Sequence, residues 1–418
     1  MKDAFGVDGQ LNFGSELRRL RHESGLSLGK FAQAMNYDKG HLSKVECGKR
    51  RATIELARRC DAFFGAGGKL QRLIEPKTLQ EIPSAKDEQG SVARRKLLAT
   101  GVGSLIGLGL VSSDGATWSE GPSVESPFRA QFDHMRKLGQ SVDPVMILPL
   151  LKSQTRTVVQ LAAAGGSRDR AGLLVLAARF AEYAGWMAQE AGDNEAALGW
   201  TGEAVELARA GGDLDLASYA LVRRALVTFY DSDAEQTIAL ASQAQDSGLP
   251  PRIRGLATQR KAQGQALTGD ELTCLNSLDQ ARELLGSADS RTGTEPVLGT
   301  TSVADPVAMV TGWCLYDLGR PKAAAKIFDQ ECSRIAPQAF RTRTRYGMRR
   351  SLAHAASGEV EHSCEIAKEL LDITATVPSA TVKADIRRLA KELSRFRANR
   401  AVRDLQPALA QALSPSAN

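Results

Sequence analysis

Aromatic residues make up only 5% of this 418-residue chain, and its five histidines are scattered. So few rings argue against a β-sandwich, whose strands are rich in them. His22, His41, His134, His354 and His362 form no group at metal-binding or catalytic spacing. There is also no His-Glu-x-x-His, Walker loop or nucleophile elbow. No catalytic residue, metal site or cofactor is therefore expected, and the chain reads as non-enzymatic. The six cysteines, Cys47, Cys60, Cys274, Cys314, Cys332 and Cys364, lie far apart without a Cys-x-x-Cys pair. That pattern suits a reduced, cytoplasmic setting better than a disulfide or zinc scaffold. The opening MKDAFGVDGQ lacks the apolar stretch of a secretory signal.

What the chain does have is a local surplus of positive charge. Between Phe13 and Pro76 there are 13 Lys plus Arg against 7 Asp plus Glu, while outside this block the two signs balance at 41 each. The whole formal excess of +6 thus sits in about 60 residues. A basic block on a neutral body is the footprint of a nucleic-acid-binding module, because Lys and Arg displace counterions from phosphates.

The pattern inside the block is helical. Leu17 and Leu20 lie on a first helix closed by Gly25, and Ser27 caps a second with the apolar face Leu28, Phe31, Ala32 and Met35. Asn36 tolerates the left-handed conformation, and Asp38 caps a third helix running through His41, Leu42, Val45 and Glu46 to Gly48. Three short helices with a tight turn between the last two spell helix-turn-helix. Phe31, Leu42, Val45, Ile54, Leu56, Phe63 and Phe64 are expected in its core. Arg58 and Arg59 are expected on a solvated face, and Cys47 and Cys60 as inert thiols.

The run LRRLRHESGLSLGKFAQAMNYDKGHLSKVECGKR resembles the Cro/phage-repressor (XRE) family of DNA-binding domains. The resemblance covers residues 13 to about 76 and rests on Leu26-Ser27, Phe31-Ala32, Leu42-Ser43 and Glu46-x-Gly48. It implies that the helix starting near Asp38 enters the major groove of double-stranded DNA, with Lys39, His41, Ser43 and Lys44 facing base edges and Gly40 letting the backbone come close. It also implies phosphate contacts from Ser27, Lys49, Arg50 and Arg51. Two positions depart from the family pattern: Leu28 stands where many relatives have Gln, and Cys47 where many have Asn or Ser.

From Lys77 to Pro127 the composition is that of a linker, around a central run RRKLLATGVGSLIGLGLV. Leu97 to Val111 gives 15 residues without a charge. Three readings apply: an export signal, misplaced behind a folded domain; a membrane span, short of the ~20 residues needed; or a small-residue helix or linker, which is preferred and leaves no membrane partner expected.

Beyond Pro127 the period is helical and the text repeats itself. Turns fall at Gly192, Asp231, Gly269, Gly319 and Gly358, separated by 39, 38, 50 and 39 residues. A period near 39 with one insertion at 286–303 resembles tetratricopeptide repeats with slightly long units, and Ala380 to Leu413 resembles a carboxy-terminal cap. Trp186, Leu198 and Trp200 are expected to fill gaps between helices. Arg341, Arg345 and Arg349 share one helix face and form a candidate ligand or partner groove. The basic stretch from Arg387 to Arg403 is expected to cover the outer face of the cap.

The fold class is therefore all-α: a lambda-repressor-like helix-turn-helix domain at 1–76, a linker at 77–127 and a tetratricopeptide-like α-solenoid at 128–418. The whole chain resembles actinobacterial regulators that join an XRE helix-turn-helix, an Arg-Arg linker and a tetratricopeptide-type domain. It also resembles, in outline, the PlcR-like peptide-pheromone receptors. The resemblance implies a transcriptional regulator, dimeric on a palindromic operator, whose repeats serve dimerisation and the sensing of a peptide or small molecule. The alternative is a tetratricopeptide interaction scaffold, tethered to a membrane through Leu97 to Val111, with an accessory DNA-binding module.

Overall fold

A computed structural model describes residues 12–74, 125–164, 167–288, 298–300 and 302–414. Of the expected linker at 77–127, residues 77–124, with the apolar run at 97–111, lie outside the described residues, and 125–127 open a helix. Among the described residues the architecture is all-α, with no strand.

The amino-terminal region holds α1 (Phe13–Glu23), α2 (Leu28–Ala34), α3 (Lys39–Glu46), α4 (Ile54–Phe64) and α5 (Lys69–Arg72). Each of the first four helices opens on a side chain that accepts an otherwise unpaired backbone N–H: Asn12 from Ser15, Ser27 from Lys30, Asp38 from His41 and Thr53 from Leu56. Asn36, at φ 53°, takes the left-handed conformation that lets α3 turn sharply away from α2. Leu17, Phe31, Leu42, Val45, Leu56 and Leu70 close the core. Phe63 departs from the expectation. It sits near the end of α4, 41% exposed, in edge-to-face contact with Phe31 and Phe64.

Two devices fix the position of α3. A Cβ on Gly14 would fall 2.5 Å from the Val45 carbonyl oxygen, so only glycine lets α1 approach α3 this closely. The buried Arg21 guanidinium donates to both carboxylate oxygens of Glu46 at 2.6 and 2.8 Å, and to the Leu26 carbonyl at 2.8 Å. This bidentate pair ties the far end of α3 to α1.

The rest is a series of helix pairs: α6 (Glu125–Leu138) with α7 (Pro144–Ala164), α8 (Ser167–Ala191) with α9 (Asn194–Ala210), α10 (Leu214–Tyr230) with α11 (Ala234–Gln243), α12 (Pro251–Thr268) with α13 (Glu271–Ala288), α14 (Pro306–Asp317) with α15 (Pro321–Cys332), α16 (Phe340–Ser357) with α17 (Val360–Thr376), and α18 (Ala380–Leu393) with α19 (Arg400–Leu413). A unit of this kind cannot bury its apolar face alone, so the pairs stack into a solenoid. The expected turns are where the chain reverses. Gly192, Gly269, Gly319 and Gly358 all have positive φ, and at the second turn Ser232 (φ 62°), next to Asp231, does the same task. Asp193, Asp213, Asp233 and Asp305 cap the helices that follow them. Alanine faces such as Ala177, Ala181 and Ala184 let the helices pack closely. Trp186 and Trp200 pack against this core as expected, whereas Leu198 is 42% exposed on the outer side of α9.

Candidate nucleic-acid interface and ligand cavity

One face of the amino-terminal region is open. Lys39, Gly40 and Lys44 are exposed on α3, with His41 and Ser43 half-buried beside them. Ser27, at the start of α2, and Lys49, Arg50 and Arg51, beyond α3, are exposed as well. None of these five Lys and Arg side chains makes an ion pair among the described residues. The His41 ring packs against Tyr37 with centroids 5.5 Å apart. Burial lowers its pKa, and the nearby Arg50 and Arg395 lower it further, so the imidazole is neutral at neutral pH. Cys47 is exposed, while Cys60 is fully buried and burial pushes its thiol pKa well up.

The opposite face is closed, and here the sequence reading of Arg58 and Arg59 is corrected. Both guanidiniums are buried against the repeats. Arg58 lies 3.3 Å from Asp317, and Arg59 donates to Glu392 at 2.7 Å. Asp317 also receives Arg388 at 2.7 Å, Glu392 receives Arg395, and Lys391 reaches Glu55 at 3.1 Å. Burial raises the Asp317 pKa, but Arg388, Arg58 and Arg349 outweigh it and hold the carboxyl below its ordinary range. The basic stretch at 387–403 is corrected in part: Arg387, Arg397, Arg400 and Arg403 are exposed, whereas three others join these contacts. Arg388, Lys391 and Arg395 face the amino-terminal region, with Arg395 stacked 3.6 Å over the Tyr37 ring and donating to the Asn36 carbonyl.

Three successive repeat turns form the seat of this clamp. At the first, Gln71 donates to the Leu267 carbonyl, and Gly68 and Gly269 meet backbone to backbone. At the second, a Cβ on Gly319 would fall 2.3 Å from the Arg58 carbonyl oxygen. At the third, the Asn36 amide donates to the Ser357 carbonyl at 3.0 Å.

The repeats enclose a cavity of about 860 Å³, with Arg341 and Arg345 in its lining and Arg349 a turn beyond. Each of these three guanidiniums already meets a carboxylate. Arg341, 1% exposed, reaches Glu190 at 3.4 Å and donates to the carbonyls of Gly139, Val142 and Pro378. Arg345 pairs with the same Glu190 and with Thr381 at 3.0 Å, and Arg349 pairs with Asp385 at 2.8 Å. Burial raises the Glu190 pKa, yet Arg345, Arg341 and the hydroxyls of Ser379 and Thr381 more than offset it. The three arginines thus zip α16 to α8 and α18. Sequence reasoning missed Glu190 and Asp385. It also missed Arg223, Tyr219, Tyr230, Arg260 and Trp313 in the cavity wall. Their only sequence signal is polar side chains interrupting the small apolar face of a repeat helix.

His354 and His362 do come together, which the sequence spacing did not suggest: their rings are 4.6 Å apart, and Asp329 completes a group within 4.8 Å. Both His354 nitrogens are already engaged, Nδ1 with Glu359 at 2.6 Å and Nε2 with Asp329 at 2.9 Å, and Arg350 also binds Asp329. A cation here would have to displace Arg350, so the donor set fits a charge network bracing the Gly358 turn better than a metal centre.

Residues 12–73 match a family described as a helix-turn-helix domain. No curated protein matches the chain. The solved structure described as a Rap protein complexed with competence and sporulation factor aligns with 69% of this chain and 98% of its own at 11% identity, with a TM-score of 0.42, too low to equate the two folds. Among the described residues, no helix is long and apolar enough to cross a membrane.

Proposed function

We propose that this protein is a sequence-specific DNA-binding transcriptional regulator of the XRE type, working as a dimer on a palindromic operator and controlled through its repeat array. In this reading residues 1–76 bind DNA, 77–127 link, and 128–418 dimerise and sense a ligand. Lys39, His41, Ser43 and Lys44 read base edges, Gly40 admits the backbone, and Ser27, Lys49, Arg50 and Arg51 hold phosphates. A single helix-turn-helix contacts one half-site, so pairing doubles the contacts and sets the half-site spacing.

The observation that carries this reading is the two-sidedness of the helix-turn-helix. Among the described residues its α3 face leaves five cations without an ion pair, while α4, α5 and the Asn36 turn before α3 are clamped to turns of the repeats. The clamping helices also wall the cavity. α12 bears Arg260 there and Leu267 at the clamp, α14 bears Trp313 and Asp317, and α16 bears Arg345 and Ser357. A ligand that shifts these helices therefore shifts the seat of the DNA-binding region, and the coupling acts both ways.

The test is selection of sheared genomic DNA by the full-length protein at near-physiological salt, beside a Lys39→Ala, Lys44→Ala double variant. A palindrome enriched by the wild type alone is the expected result. The same enrichment in the double variant would remove Lys39 and Lys44 from base reading, and no motif at all would favour the interaction scaffold.

A further inference from the structure

Arginines in the repeat core come in two kinds. Arg341, Arg345 and Arg349 each meet a buried carboxylate. Arg260, on α12, does not: its one hydrogen bond among the described residues goes to the neutral Gln263 side chain at 2.5 Å, and no carboxylate pairs with it there. The charges and dipoles that act on it come from the hydroxyls of Tyr346, Tyr219 and Tyr230, and from a second cation, Arg223. Burial pushes its pKa down, and Arg223 pushes in the same direction. Arg223 has an acid in the same wall, Glu182 at 3.3 Å, but its hydrogen bond among the described residues goes to the neutral Gln189 at 3.4 Å and its Nε is buried without a hydrogen-bond partner there.

Leaving a guanidinium in such a place is costly unless something supplies the missing negative charge. Elsewhere in this core the fold supplies it, as at Arg341, Arg345 and Arg349, so its absence beside a cavity of this size argues for a ligand. The neighbouring groups agree. The Tyr230 hydroxyl, the Trp313 indole N–H and the Gln259 amide N–H line the same cavity and are buried without a hydrogen-bond partner among the described residues. The indole and amide groups can only donate, and with the two guanidiniums they call for an acceptor-rich occupant. The rest of the wall near Arg260 is flat and aromatic: Tyr219, Tyr230 and Trp313. A space of about 860 Å³ holds a molecule of drug size.

We propose that the cavity binds a small organic anion, its acidic group held between Arg260 and Arg223 and its flat apolar body against Tyr219, Tyr230 and Trp313. This names the chemical class of the ligand in the reading given above and rests on that reading only for its regulatory meaning. Free carboxylates and phosphate monoesters share the required chemistry.

The probe is 8-anilinonaphthalene-1-sulfonate, an aromatic anion whose fluorescence rises on burial, set against N-phenyl-1-naphthylamine, which keeps the rings and lacks the charge. The full-length protein is expected to bind the anion at one saturable site. Arg260→Gln should weaken that binding at least tenfold and leave the neutral dye within twofold, and Arg260→Lys should recover part of the loss. Equal effects on both dyes, or none on either, in variants with wild-type circular dichroism, overturn the proposal. Should Arg260→Gln not fold, the wild type alone decides. Benzoate or phenyl phosphate must displace the anionic dye where benzyl alcohol does not, and whichever of the two acts at the lower concentration identifies the acidic group. Displacement by the alcohol as readily as by the acids also overturns it. Dye binding needs no DNA, so an anion site without an operator removes the regulator reading alone, and an operator without an anion site removes this proposal alone.

Discussion

Arg50 and Arg58 lie eight residues apart in one basic block, yet they meet opposite fates. Among the described residues Arg50 stands exposed beyond α3 with no acid against it, whereas Arg58 is largely covered, with its guanidinium on Asp317. Arg51 and Arg59 repeat the contrast, the second being closed over by Glu392. Charge density alone therefore misjudges the footprint for nucleic acid. Part of the surplus in residues 13–76 is neutralised by acids of the repeats, and five of the cations without an ion pair among the described residues lie on or just after α3. The contrast also shows what each face is built for. An exposed cation keeps its hydration until a phosphate displaces its counterions, while a buried one has already exchanged water for a fixed carboxylate and holds a position.

The largest effect should come from breaking the closed face. Asp317→Ala leaves Arg58 and Arg388 facing each other without their shared acid, and removing one partner from a buried pair costs about 3–5 kcal/mol. Denaturant unfolding should register that loss, and hydrogen exchange should show α4 losing protection. A change under about 1 kcal/mol would mean that the clamp is a mere surface contact. The pH dependence sharpens the test. The folded Asp317 pKa is depressed, so its contribution is full above the unfolded value of about 3.9 and is lost as pH falls through the lower, folded value. The stability difference between the wild type and Asp317→Asn should accordingly be flat at neutral pH and shrink only below about pH 4.

Next in size is a pair of glycines that differ only in what stands over them. Gly212 (φ 83°) and Gly319 (φ 81°) both turn the chain in the left-handed region, but a Cβ at Gly212 meets nothing, whereas at Gly319 it meets the backbone of Arg58 and Arg59. Gly212→Ala should cost about 1 kcal/mol for conformation alone. Gly319→Ala adds an overpacking cost of about 1–3 kcal/mol and pushes α4 off its seat. Equal melting temperatures for the two variants would contradict a close approach at this turn.

How far the sequence was legible follows the range of the forces involved. Gly25, Ser27, Asn36 and Asp38 could be read because a cap or a left-handed turn is decided by three or four neighbouring residues. The repeat turns could be read for the same reason. Arg58 with Asp317 could not, because 259 residues separate them, nor could Arg59 with Glu392 at a separation of 333. Periodicity tells that a helix has a polar face but not whether water or another part of the chain covers it, and so the stretch at 387–403 looked like an outer surface. Arg341, Arg345 and Arg349 were legible as one face, while Glu190, 151 residues before Arg341, carried no local sign of being their partner.

On the open face the effects move from stability to DNA affinity. Lys39→Ala or Lys44→Ala should cost about 1–3 kcal/mol at the specific site and relax base preference there, with thermal stability unchanged, in a competition assay against sequence variants of the selected operator. Unchanged affinity and preference for both would remove them from base reading.

The smallest effect per residue should be the most uniform. Arg50→Ala or Arg51→Ala should remove one of the proposed phosphate contacts, so binding should weaken alike on every sequence, and the slope of log affinity against log salt should fall by about 1. Both side chains are exposed and without an ion pair among the described residues, so stability should move by no more than about 0.5 kcal/mol, in contrast to the loss expected for Asp317→Ala. A loss confined to one operator position would shift that arginine from backbone positioning to base reading. A fall in stability comparable to that of Asp317→Ala would erase the distinction between the two faces, because it would mean that Arg50 or Arg51 also holds the domain in place.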